Sequence, residues 1–101
     1  MARDELSELR AFIAVAGERS FTKAAAKLGV SASALSHTIR GLEERLGLRL
    51  LTRTTRSVAT TEAGDRLFRS IAPHFEQIRA EIDALSELRD KPSGTIRISS
   101  A

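Results

Sequence analysis

The sequence predicts a mainly α fold: three helices and a two-stranded hairpin, followed by one long helix. Three observations predict it. Apolar residues recur at 3–4 residue spacing in three windows before residue 47, and Gly29 and Gly47 punctuate those windows. The stretch LRLLTRTTRSVAT has the short, branched, Thr-rich character of a hairpin. From Leu67 to Leu88 an apolar stripe keeps near-heptad spacing far longer than a small unit can cover.

Bulk composition narrows the function classes. The chain has 101 residues, 42% hydrophobic and 29% charged, which is the make-up of one small globular domain and not of a disordered chain. It contains no cysteine, so disulfides, thiol catalysis and cysteine-based zinc sites are excluded. No apolar run approaches the roughly 18 residues a membrane span needs. The start, MARDELSELR, is charged and helical in pattern without an apolar leader core, so a cytoplasmic, nucleoid-associated location is expected.

Charge is unevenly placed. The net charge is +3, yet residues 20–56 alone carry +5, from Lys23, Lys27, Arg40, Arg45, Arg49, Arg53 and Arg56 against Glu43 and Glu44. The segments on either side are each at −1. A localised positive patch on two short helices joined by a tight turn is the footprint of a duplex-DNA reader.

Taken in order, Asp4 or Glu5 opens a first helix with Leu6, Leu9, Ile13 and Ala16 on one face, widened by Phe12, and Gly17 ends it. Ser20 caps a second helix that turns Phe21, Ala24, Ala25 and Leu28 inward; its paired alanines allow another helix to approach closely. Gly29 suits a left-handed turn, Val30 plugs the core beneath it, and Ser31 caps the third helix. There Leu35, Ile39, Leu42 and Leu46 face inward, while Ser33, Ser36, His37 and Arg40 form a small, polar outward face that fits a major groove. Gly47 closes that helix.

A wing follows: Arg49–Leu51 runs out, Thr52–Ser57 turns, and Val58–Thr60 returns. Arg53 and Arg56 sit at its tip, suited to phosphate or the minor groove. Thr61 caps a long helix to about Arg89, kinked at Pro73. Lys91-Pro92-Ser93-Gly94 breaks it, and Thr95–Ser99 alternates like the first strand of a further, absent domain.

The run Phe12, Val15-Ala16, Ser20-Phe21-Thr22, Ala24-Ala25 and Leu28 is followed in register by Ser31, Ala34-Leu35-Ser36, Ile39, Leu42-Glu43 and Leu46-Gly47. Then come Leu50, Arg53-Thr54, Arg56 and Thr61-Glu62-Ala63-Gly64. Together these residues resemble the N-terminal domain of LysR-type bacterial transcription regulators over residues 5 to about 98. The resemblance implies a winged helix-turn-helix (1–60), a linker and dimerisation helix (61–90), and a hinge leading to an effector-binding domain (91–101). It also implies a homodimer, in this family often assembling into a tetramer at full length, that binds interrupted palindromes of double-stranded DNA near promoters. A small-molecule effector would act only through the absent domain. Relatives often carry Gln where this chain has Ala32 and Pro where it has Ser33, so this chain is expected to read different bases. Leu51 and Thr60 also depart from a frequent Phe and Leu, which concerns wing packing.

The expected DNA contacts are Ser31, Ala32, Ser33, Ser36, His37 and Arg40 on the recognition helix, with Ser36 and His37 as leading base readers and Arg40 on phosphate. Thr22, Lys23, Arg53, Thr54 and Arg56 are expected on the DNA backbone. Lys27 and Arg49 fit a solubilising role equally well. Leu67, Ile71, Phe75, Ile78, Ile82 and Leu85 are the expected dimer seam. Enzymatic readings are poor: His37 and His74 lie on different elements, no phosphate loop or nucleophile elbow occurs, and no cofactor or metal is expected. Thr61-Glu62-Ala63-Gly64 is read as a helix start, and His74 as a surface or seam residue. The competing function is a non-specific architectural DNA-binding protein, distinguished by equal affinity for all duplexes.

Overall fold

The structure, a computed structural model, describes residues 5–54 and 57–90. Its elements are α1 (Glu5–Glu18), α2 (Phe21–Leu28), α3 (Ala32–Leu46), β1 (Leu51–Arg53), β2 (Val58–Thr60) and α4 (Glu62–Asp90). This is the expected order. Arg56 and the hinge and strand expected at 91–101 lie outside the described residues.

Local chemistry explains most boundaries. Ser20 Oγ accepts a hydrogen bond from the Lys23 N–H, and Ser31 Oγ from the Ala34 N–H, both at 3.1 Å. Each satisfies a donor that the first turn leaves open. Gly29 and Gly47 adopt φ of +76° and +71°, where a side chain is strained. After Gly29 the turn is closed by Gly29 N–H to Ala26 carbonyl at 3.3 Å and Val30 N–H to Ala25 carbonyl at 3.0 Å.

Two helix ends differ from the sequence reading. The first helix continues past Gly17 to Glu18 and ends on Arg19, at φ 57°. Val30 does not plug the core: it is 47% exposed, and its backbone rather than its side chain secures the turn.

The core gathers Ala11, Phe12 and Val15 from α1, Ala24 and Ala25 from α2, Leu35, Ile39 and Leu42 from α3, and Leu50, Leu51 and Val58 from the wing. The buried face of α1 is thus centred on Phe12 and Val15; Leu6, expected to face inward, is exposed. Leu46 is also open, at 41%, as the last residue before Gly47. It lines an apolar groove with Leu48, Leu50 and Leu67 at the foot of α4.

The wing strands are antiparallel, pairing Leu51 with Thr60, Thr52 with Ala59 and Arg53 with Val58. The outgoing strand therefore starts two residues later than expected. Arg49 and Leu50 are engaged elsewhere: the Thr61 hydroxyl donates to the Arg49 carbonyl at 2.6 Å, and a carboxylate from α3 takes the Leu50 N–H.

Thr61 also caps α4, accepting from the Gly64 N–H at 3.0 Å. Gly64 is buried against the Leu50 backbone, just before β1, and a Cβ there would fall on the Leu50 carbonyl oxygen. Leu67, Phe68 and Ile71 then pack on the core, so the opening turns of α4 belong to the globular unit. The helix runs on through Pro73 to Asp90. Among the described residues no helix is long and apolar enough to cross a membrane.

Candidate nucleic-acid interface

Helical periodicity puts Ser33, His37, Arg40 and Glu44 on one ridge of α3, away from Leu35, Ile39 and Leu42. Ser31, Ala32, Ser33, His37 and Arg40 are exposed, as is Ala34, whose featureless side chain gave no signal in the sequence. Ser36, expected beside His37 as a base reader, is only half open. Thr38 is half-buried, and its hydroxyl donates to the Ala34 carbonyl at 3.0 Å. The N-terminal half of α3 therefore offers a narrow surface of hydroxyls, methyls and one imidazole. Such a surface can enter a groove about 12 Å wide and still present donors and acceptors to base edges.

The cations of the patch separate into two groups. Lys27 Nζ pairs with Glu18 at 3.2 Å. Arg45 reaches Glu8 at 2.6 Å and Glu5 at 3.5 Å, binding the end of α3 to the start of α1. Arg49 lies 3.8 Å from Glu43. These three have carboxylate neighbours that offset their charge. Lys23, Arg40 and Arg53 have no carboxylate partner among the described residues, and all three are exposed. Lys23 and exposed Thr22 lie in the first turn of α2, where backbone dipoles favour an anion.

Arg53 occupies a different place from the expected wing tip. It is the last residue of β1, and its guanidinium carbon stands 4.4 Å from the centroid of the Phe21 ring at the start of α2. Arg40 and Arg53 also line one open depression of about 610 Å³ between α3 and the wing. Thr54 belongs to the turn itself: its hydroxyl donates to the Ser57 carbonyl at 3.0 Å and accepts from the Ser57 N–H at 2.9 Å.

Glu43 joins the wing to α3. Its Oε2 accepts from the Leu50 N–H at 2.8 Å and the Leu51 N–H at 3.1 Å, with the side chain only 11% exposed. One carboxylate thus replaces a strand partner for two successive amides. In the sequence Glu43 counted as a negative charge and a motif position, and Phe21 as a core and motif residue, neither with a role at the interface. The available signal for Glu43 was an acid beside inward-facing Leu42 within a cationic window.

Along α4, Leu67 and Ile71, expected on the seam, are half-buried against their own core, and Phe75 is half-buried as well. Beyond it Ile78, Ile82, Leu85 and Leu88 stand open.

Residues 6–65 match the family described as bacterial regulatory helix-turn-helix protein, lysR family. The chain is 60% identical over 98 residues to a putative transcriptional regulator of Pseudomonas aeruginosa, covering 97% of this chain and 32% of that protein. It is 56% identical over 98 residues to the HTH-type transcriptional regulator PgrR of Escherichia coli, covering 97% of this chain and 33% of that one. The chain thus spans about a third of the length of these relatives. Among solved structures, the BenM DBD in its complex with benA site 1 DNA superposes with a TM-score of 0.71 at 36% identity, over 88% of this chain and all of that one. The order of helices and wing, the motif register and these likenesses agree: the chain belongs to the lysR family of bacterial regulatory helix-turn-helix proteins, a family of regulators rather than enzymes.

Proposed function

We propose that the chain is the DNA-reading part of a sequence-specific transcription regulator that binds, as a homodimer, an interrupted palindrome near a promoter. The observation that carries the reading is the exposed, small and polar face of α3 from Ala32 to Arg40, flanked by the unpaired cations Lys23 and Arg53. His37 and Ser36 read base edges, while Arg40, Lys23, Thr22, Arg53 and Thr54 meet the sugar–phosphate backbone. The DNA-bound state of the BenM neighbour supports the same use of the fold here.

In this reading residues 1–60 bind DNA and residues 61–90 link and dimerise. Two α4 helices pair through Phe75, Ile78, Ile82 and Leu85, which sets the separation of the two recognition helices and hence of the half-sites. A small-molecule effector acts through a further domain, and its signal reaches DNA by changing how α4 is held.

Selection of bound duplexes from a random pool at near-physiological salt tests the reading. An enriched interrupted palindrome is the expected result. Retention without enrichment would favour the architectural reading, since phosphate contacts alone do not discriminate between sequences.

A further inference from the structure

Arg53 differs from the other described cations of the patch in what restrains it. Strand alternation puts Arg53 on the same face of β1 as buried Leu51, so its side chain extends over the edge of the core instead of outward. There it meets the ring of Phe21, at 4.4 Å from guanidinium carbon to centroid. Phe21 is half-buried, packed against the core, and is the first helical residue after the Ser20 cap.

The two kinds of restraint have different consequences. A carboxylate that holds an arginine takes up N–H donors and offsets its charge, as Asp65 does for Arg69 at 3.0 Å. An aromatic face holds the plane of the guanidinium and leaves the donors around its edge free. We infer that Phe21 is a positioning residue for DNA binding: its ring holds Arg53 beside the N-terminus of α2, with charge and donors intact, ready for a backbone phosphate. The inference rests on the DNA-binding reading above. Glu43 contributes by fixing the base of β1 to α3, so the ring and the recognition helix share one frame. Binding then immobilises a side chain already held, which lowers the entropy lost on contact.

The test is a double-mutant cycle on the selected duplex with Phe21→Leu, Arg53→Gln and the pair, with unfolding midpoints recorded for each. Phe21→Leu should weaken binding about two- to fivefold, the range of an exposed cation–π contact. Arg53→Gln should weaken binding to every duplex and lower the salt slope by about one unit. In the Arg53→Gln background, Phe21→Leu should change affinity no further, and Phe21→Tyr, which keeps the ring, should bind like the parent.

An equal loss from Phe21→Leu with and without Arg53 would overturn the inference, because the ring would then serve packing alone. Wild-type protein with no affinity for any duplex would overturn the DNA reading itself, before the cycle begins. Proton spectra of the unmutated free protein give an arm that needs no variant to fold. The Arg53 side-chain protons should be shifted upfield by the ring, and random-coil positions would contradict the proposal.

Discussion

Phe12, Ile39 and Leu42 are completely closed off inside the three-helix unit, whereas Ile78, Ile82, Leu85 and Leu88 are between 49% and 65% exposed on the distal half of α4. The side chains are of the same kind; the surroundings differ. In the globular unit three helices and a wing pack on one another, and their central apolar positions are buried between them. Past Phe75, α4 has left that unit, and its stripe continues at near-heptad spacing with nothing among the described residues to cover it. A helix of this kind gains most of its stability from packing an apolar face. The first region buries its apolar residues among its own elements, and the second leaves its stripe open, which is where the proposed dimer would form.

Substitutions in the two regions should therefore behave differently. Phe12→Ala removes a fully buried aromatic from the centre of the unit. It should cost about 3–5 kcal/mol, the range for large-to-small core changes. The loss should appear as a lower denaturant midpoint that does not depend on protein concentration. A loss below 1 kcal/mol would mean that the unit is not packed as described.

Gly64→Ala tests the weld between the regions. The added methyl would meet the Leu50 carbonyl, a backbone atom that cannot swing aside. Destabilisation of about 1–3 kcal/mol is expected, as for overpacked sites. Equilibrium unfolding measures it, and a neutral result would show that the start of α4 can lift off Leu50 without cost.

How much of this was legible beforehand depends on the range of the physics involved. Ser20, Ser31 and Thr61 act as caps, and Gly29 and Gly47 end helices, as their types and positions suggest, because those interactions close within three to five residues. The inward faces of α2 and most of α3 follow from periodicity in the same way. Errors began where the outcome depended on how elements cross. Val30, Leu46 and Leu6 have the chemistry of core residues but are 47%, 41% and 66% exposed, since no element covers them fully. The start of β1 moved because Glu43, seven residues before Leu50, supplies its first amides with an acceptor.

The candidate interface divides similarly. The outward face of α3 was readable from its period. The division of the cations into paired and unpaired was not, because the carboxylates near Lys27 and Arg45 come from α1, 9 and 37 or more residues away in sequence. The stack of Arg53 on Phe21 joins β1 to α2 and has no local signature at all.

The most direct test of the whole account is to repeat the random-pool selection with Ile82→Glu beside the parent chain. This change puts a charge in the open stripe and leaves the globular unit and its α3 face untouched. If the unit reads bases and the distal stripe supplies the symmetry, the parent should enrich an interrupted palindrome. The variant, monomeric by sedimentation and with an unchanged unfolding midpoint, should enrich a single half-site at lower affinity. Recovery of the same interrupted palindrome by Ile82→Glu would contradict the account, because the pairing of half-sites would not depend on the stripe of α4.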